Sequence, residues 1–292
     1  MDPLTPDSLT PDSLAAILAP QRRTAILDVG ANPIDGDPPY KRMLAAGLCE
    51  VTGFEPQPEA LARLNEKAGP NERYLPHALG DGTARTLQVC ALEGMTSLLV
   101  PDTAHLALFN LFPIWGDVKA RIPVQTRRLD DIAEIAPPDF LKMDIQGSER
   151  DVLEHGREKL AAAVAIQTEM SFIPLYQGQP TLGEMDTLLR GMGFLPHCFA
   201  EMKVWPLAPL VVGGQPNRGL RQLLEADMVY VRDFTRAANM TPEQWKHLAL
   251  IAHHCYGSAD LALRCIDMLM ELGALPQGSG QRYLDSLPRK PN

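Results

Sequence analysis

From about Arg23 onward the chain repeats one order: a short apolar run, a turn, then an amphipathic run. Residues 25–29 are apolar around Asp28 and end at Gly30, as a buried parallel strand does. Residues 40–46 read as a helix closed by Gly47. Residues 51–54 form a second strand. Residues 58–67 form a helix with Pro58 at its start and Ala60, Leu61 and Leu64 on one face. Strands follow at 74–79, 140–144, 164–168, 194–199 and 228–231, and residues 86–92 and 124–129 also read as extended. Helices follow at 149–160, broken at Gly156, and at 181–192, closed by Gly193. This alternation predicts an α/β fold, a mostly parallel sheet with helices on both faces. In such sheets ligands bind beyond the carboxyl ends of the strands.

The flanks differ from this pattern. Residues 1–22 carry a doubled TPDSL and read as an N-terminal arm whose Thr, Asp and Ser side chains can cap short helix starts. The main domain spans 23–235. Residues 240–273 read as a helical hairpin turning at Gly257-Ser258, packed on the main domain because one hairpin cannot bury its own face. The polar, Gly- and Pro-rich residues 274–292 read as a flexible tail. Inside the main domain, residues 94–121 read as a long irregular insertion, the kind of segment that forms a lid or a substrate wall.

Acidic residues outnumber basic ones, 36 to 27, for a net charge of -9. A nucleic-acid partner needs a basic footprint, so none is expected, nor is binding to an anionic membrane. No apolar run reaches the roughly 18 residues that span a bilayer. The N-terminus lacks the basic and apolar regions of a secretory leader. Five widely spaced cysteines (Cys49, Cys90, Cys198, Cys255, Cys265) form no CxxC pair, as in a cytoplasmic protein with reduced thiols. No metal site is expected, although Asp35 and Asp37 leave a small opening for one.

Five strand ends carry the chemistry. Gly30, after Leu27-Asp28-Val29, permits a tight turn and close approach of a ligand. The G-x-G-x-x-G fingerprint is missing, since Asn32 and Pro33 stand in its place. Asp35 and Asp37 would repel a pyrophosphate, so a cofactor without phosphates fits better. Glu55, followed by Pro56, lies twenty-five residues after Gly30 at a strand end, near the spacing of the acid that holds a ribose diol. His77-Ala78-Leu79 can line an adenine, and His77 is also a candidate base. Lys142 and Asp144 share one side of a strand, as an ion pair or with Asp144 at the substrate. Glu169 ends the next strand and faces the same cleft, where Thr96 and Ser97 can supply hydroxyls.

These pieces, in this order, resemble the FkbM-type S-adenosylmethionine-dependent methyltransferases. The resemblance is carried by LDVGAN, GFEPQPEAL, HALGDG, MTSLL, VQTRRLDDI, FLKMDIQGSERDVLEHG, IQTEMSFIPLY and EADMVYVRD, from about Ile26 to Arg232. It implies a Rossmann-like class I methyltransferase fold, a seven-stranded mostly parallel sheet with its last strand antiparallel, to which the C-terminal helical hairpin is added. It implies S-adenosyl-L-methionine as cofactor and methylation of a hydroxyl on a sugar or secondary metabolite. Asp28, Gly30 and Asn32 would then meet the methionine end, Glu55 the ribose, and His77-Ala78-Leu79 the adenine. Asp144 would lie beside the transferred methyl, and Asp144, Glu169, His77 and His105 are the candidate bases. The chain departs from the family after the first strand, where Asn-x-Gly is usual and Asn32-Pro33-Ile34 stands, and at Gln146, where a Glu is usual.

A second reading is a catalytically silent methyltransferase-like scaffold whose hairpin docks a partner. A nicotinamide oxidoreductase is a distant third, because the phosphate-binding glycines are missing. Phe109, Phe112, Trp115 and Trp205 can stack on a sugar ring or form core. The acceptor is a small molecule or glycan, and the oligomeric state stays open, a homodimer included.

Overall fold

The computed structural model describes residues 11–32 and 36–288. The first TPDSL copy and residues 33–35, with Pro33 and Asp35, lie outside the described residues. Helix α1 (Pro11–Leu18) precedes β1 (Thr24–Val29), α2 (Lys41–Ala45), β2 (Cys49–Phe54), α3 (Pro58–Lys67) and β3 (Glu72–Leu75). Then come β4 (Ala78–Leu79), β5 (Ala84–Cys90), α4 (Thr103–Leu106), α5 (Phe112–Trp115) and β6 (Val118–Arg127). The second half holds β7 (Phe140–Met143), α6 (Glu149–Glu154), β8 (Ala165–Ser171), α7 (Leu182–Gly191), β9 (Phe194–Val204) and β10 (Leu223–Arg232). Helices α8 (Pro242–Tyr256), α9 (Ala259–Glu271) and α10 (Ser279–Ser286) follow.

Seven strands form one sheet in the order β3-β2-β1-β7-β8-β10-β9. The first five are parallel, and β10 runs antiparallel to both neighbours. Alternation along the strands divides the core. Ile26, Val51, Phe140, Ala165 and Val229 face one side, under α1, α2, α8 and α9. Leu27, Val29, Leu141 and Met143 face the other, with Val152 and Leu153 of α6 and Met185 and Leu189 of α7. This is the doubly wound α/β architecture that the alternation predicts, with the seven strands and antiparallel last strand that the resemblance implies.

Four local expectations change. The strand expected over 74–79 is two strands in two sheets: β3 extends the main sheet, while β4 pairs with β6. Pro76 lies between them and has no N–H to continue a ladder. The insertion is shorter and more regular than expected, because β6 begins at Val118 and pairs antiparallel with β5. Strand β8 runs past Glu169 to Ser171 rather than ending at Glu169. The residues expected as a tail include α10, which is held down by Tyr283. That ring is fully buried, and its hydroxyl lies 2.9 Å from His253 Nδ1 in the hairpin.

The hairpin follows its capping chemistry. Thr241 and Gln244 form a capping box at the start of α8, with Pro242 in the first turn. Gly257 adopts the left-handed conformation that ends it. Trp245 is fully buried and donates from Nε1 to Ala237 O at 2.9 Å. Among the described residues no helix is long and apolar enough to cross a membrane.

Candidate active site

Strand order reverses between β1 and β7, where the crossovers leave in opposite directions and a crevice opens. A cavity of about 520 Å³ lies there. That volume is within the ~300–1,000 Å³ of small-molecule sites. Gly30, Ala31 and Asn32 after β1, Glu55 and Pro56 after β2, and Asp144 and Gln146 after β7 all line it.

Gly30 has φ +78°, and a Cβ there would stand 2.0 Å from the Asp144 carbonyl oxygen. The first turn is therefore pressed against the end of β7, which brings Asp144 beside the Gly30 loop. Asn32 donates from Nδ2 to Glu93 Oε1 at 3.0 Å, tying that loop to the segment after β5.

Asp28 sits directly across the ladder from Lys142. The Lys142 ammonium lies 3.3 Å from Asp28 Oδ1 and donates to Gly30 O at 3.4 Å. The Tyr40 hydroxyl donates to Asp28 Oδ2 at 2.5 Å. Of the two readings of Lys142 and Asp144, the direct ion pair gives way to a Lys142–Asp28 pair, because the parallel register puts Lys142 and Asp28 in adjacent strands at one level. Burial pushes Asp28 above the usual carboxylate range, and Lys142 opposes it. Burial would lower Lys142, but Asp28 and Asp144 outweigh it and hold the ammonium above its ordinary value.

Glu55 is 4% exposed, and its Oε1 accepts the Gln57 N–H at 2.8 Å. Burial raises its pKa, partly offset by that hydrogen bond. Ala78 and Leu79 are buried in β4 and line the cavity together with His77 and Tyr74. His77 Nε2 lies 2.9 Å from Arg127 Nη1 and 3.1 Å from Glu134 Oε1.

Asp144 Oδ1 accepts from Gln146 Nε2 at 2.9 Å, and the same nitrogen donates to Glu169 Oε2 at 3.2 Å. Gln146 has φ +56° and is fixed by Ser97, whose hydroxyl donates to Gln146 O at 2.6 Å. Thr96 and Ser97 line the cavity. Glu169 is buried inside β8 and reaches the site through Gln146 instead of lining it. Burial first, then Glu225 and Asp144, hold it well above the usual carboxylate range. His105 lies beside Asp102 at 3.6 Å, outside the lining.

The aromatic residues of the insertion pack on each other. Phe112 meets Trp205 edge to face at 5.1 Å, and both join Phe109, Trp115 and Tyr176 in a satellite core. They do not line the cavity. Sequence reasoning missed Tyr40, Gln167, Glu201 and Asp227, which do. Gln167 lies in an expected strand and Asp227 just before one, and only the antiparallel register of β10 brings them together. Gln167 Nε2 donates to Asp227 Oδ2 at 3.2 Å. Among the described residues no three His, Cys, Asp or Glu side chains are placed to share a metal ion.

The residues present fit a sulfonium cofactor. The lining sets the carboxylates of Asp28, Glu55, Asp144 and Asp227 around the crevice, which favours a cation and disfavours a pyrophosphate. Glu55 offers a desolvated carboxylate to a diol, and the missing Gly30 side chain lets the end of β7 close against the first turn.

Comparison with known proteins agrees with this reading. The Methyltransferase FkbM domain profile matches residues 28–196. A 2-O-methyltransferase, NoeI of Sinorhizobium fredii, is 33% identical over 182 residues, covering 56% of this chain and 70% of the relative. Among solved structures, precorrin-6y C5,15-methyltransferase of Geobacter metallireducens is 12% identical with a TM-score of 0.35, over 76% of this chain and 88% of that one. A fibrillarin/Nop5p complex gives 11% identity and a TM-score of 0.37, over 78% and 83%. The profile covers more than half of the sequence: the chain belongs to the FkbM methyltransferase family, and its cofactor is S-adenosylmethionine.

Proposed function

We propose that this methyltransferase acts on a hydroxyl oxygen of a sugar or secondary-metabolite acceptor, with Asp144 taking the hydroxyl proton. The observation that carries the reading is the pairing of Lys142 with Asp28. It leaves Asp144 at the cavity with only the neutral Gln146 amide on Oδ1. The 2-O-methyltransferase relative supports oxygen as the atom methylated.

The bound cofactor supplies an electrophilic methyl group. Glu55 would hold the ribose hydroxyls, His77-Ala78-Leu79 with Pro56 would wall the adenine, and Gly30, Asn32 and Asp28 would border the methionine end. The engagement of His77 Nε2 by Arg127 and Glu134 favours this wall over a role as base. Glu169, behind Gln146, would support Asp144 rather than meet the acceptor.

The test is S-adenosylhomocysteine release from the full chain over a panel of neutral sugars, with the methylated position read by NMR. Asp144→Asn is expected to lower turnover by about 10²–10⁴, the range of a general base. Cofactor affinity, measured by calorimetry, should change far less. Equal losses in both would make Asp144 structural.

A further inference from the structure

Register places four carboxylates in one row across the sheet. Glu169 and Glu201 each stand opposite Asp227. Asp144 follows Met143, which pairs with Thr168, so it comes next to Glu169. The row therefore reads Asp144, Glu169, Asp227, Glu201 on β7, β8, β10 and β9. Asp144, Asp227 and Glu201 line the cavity. Like charges directly opposite each other destabilise a sheet.

The nearby cations are shared between the row and other acids, Lys142 also acting on Asp144 and Asp227 and Lys203 on Asp227 and Glu169. Lys142 pairs with Asp28, and Lys203 pairs with Glu225 at 2.9 Å. Helix α6 adds Glu149, whose Oε1 accepts the Ile145 and Gly147 N–H groups. The hydroxyls of Tyr40, Tyr176 and Tyr256 also reach this end, bonded to Asp28, Gln146 and Gln167. Among the described residues carboxylates outnumber ammonium groups around the crevice.

We propose that this row exchanges the cofactor's charge for a proton: S-adenosylmethionine binds with the row ionised, and S-adenosylhomocysteine binds together with proton uptake by the row. The inference rests on the reading that the transferred methyl lies beside Asp144. Burial and then Asp144 push Asp227 up to about 6. Glu169 beside it is also held well above the usual carboxylate range, by burial first and then by Glu225 and Asp144.

The reaction balances on the same terms. The acceptor oxygen's electron pair forms the new C–O bond, the C–S pair stays on sulfur, and the hydroxyl proton passes to the row. A cation and an anion become two neutral groups, and the net charge of the site is unchanged. The proton that the product takes from solvent on binding is the equivalent of the one the acceptor delivers in turnover. Because the product complex binds more protons, its affinity relative to S-adenosylmethionine falls as pH rises.

The experiment is calorimetry of the full chain with each ligand in two buffers of different ionisation enthalpy. The range is about pH 5.5 to about pH 7, below the titration of the ligands' α-amino groups near ~8. S-adenosylhomocysteine is expected to take up more protons than S-adenosylmethionine. The ratio of their dissociation constants should change by up to about thirtyfold across the range, tenfold for each pH unit. Asp227→Asn and Glu201→Gln should reduce the excess. An equal proton count for the two ligands, or an excess that survives both substitutions, overturns the proposal. The functional reading fails on a different result, retention of turnover by Asp144→Asn.

Discussion

Glu55 shows how little chemistry a single side chain needs once its surroundings are fixed. Strand β2 ends at Phe54, and the next backbone N–H, that of Glu55, is held by Leu75 O at 3.1 Å. The carboxylate then has one oxygen anchored by Gln57 and faces the cavity already stripped of most of its water. A charged hydrogen bond made there is worth about 1.5–3 kcal/mol. Glu55→Ala is expected to weaken cofactor binding by about that amount in calorimetry, with the melting temperature little changed. Unchanged affinity would remove Glu55 from the cofactor site.

The C-terminal hairpin contributes to the site through the sheet it covers. The Tyr256 hydroxyl at the end of α8 donates to Gln167 Oε1 at 2.9 Å, and Gln167 in turn donates to Asp227. Trp245 anchors the same helix in the core shared with α1, α2 and the sheet. Trp245→Ala should cost about 3–5 kcal/mol, the range for removing a large buried aromatic. Urea unfolding should stay a single transition at a lower midpoint. A transition split in two would show the hairpin to be a separate cooperative unit.

Stability of the whole chain should depend on pH through buried histidines. His253 and His254 are both pushed down to about 4 by burial, and the Nε2 atom of each is buried without a hydrogen-bond partner. Their unfolded value is near ~6.5. A group whose folded pKa is depressed binds more protons when unfolded. Their contribution is therefore fully present above about pH 6.5 and is lost as pH falls towards about 4. Urea midpoints measured across that window should decline with acid, and less steeply in His254→Met. An identical slope in the variant would remove His254 from the acid response.

The strand–helix order, the turn at Gly30, the acid at Glu55 and the break at Gly156 were legible because local sequence dictates them. Periodicity, a missing Cβ and a strand end are properties of neighbouring residues. The family motifs added the cofactor for the same reason, since each motif is a contiguous run. Partner choice between distant strands was not legible. Lys142 has Asp144 two residues away in sequence, yet the parallel register gives it Asp28. Asp227 falls just before the expected strand, and antiparallel pairing sets it opposite Glu169 and Glu201. Aromatic residues of the insertion could equally have met a sugar, and packing against Trp205 made them core. Sequence spacing fixes which side chains share a face, but register and burial, which arise only when the sheet is assembled, decide which charges meet.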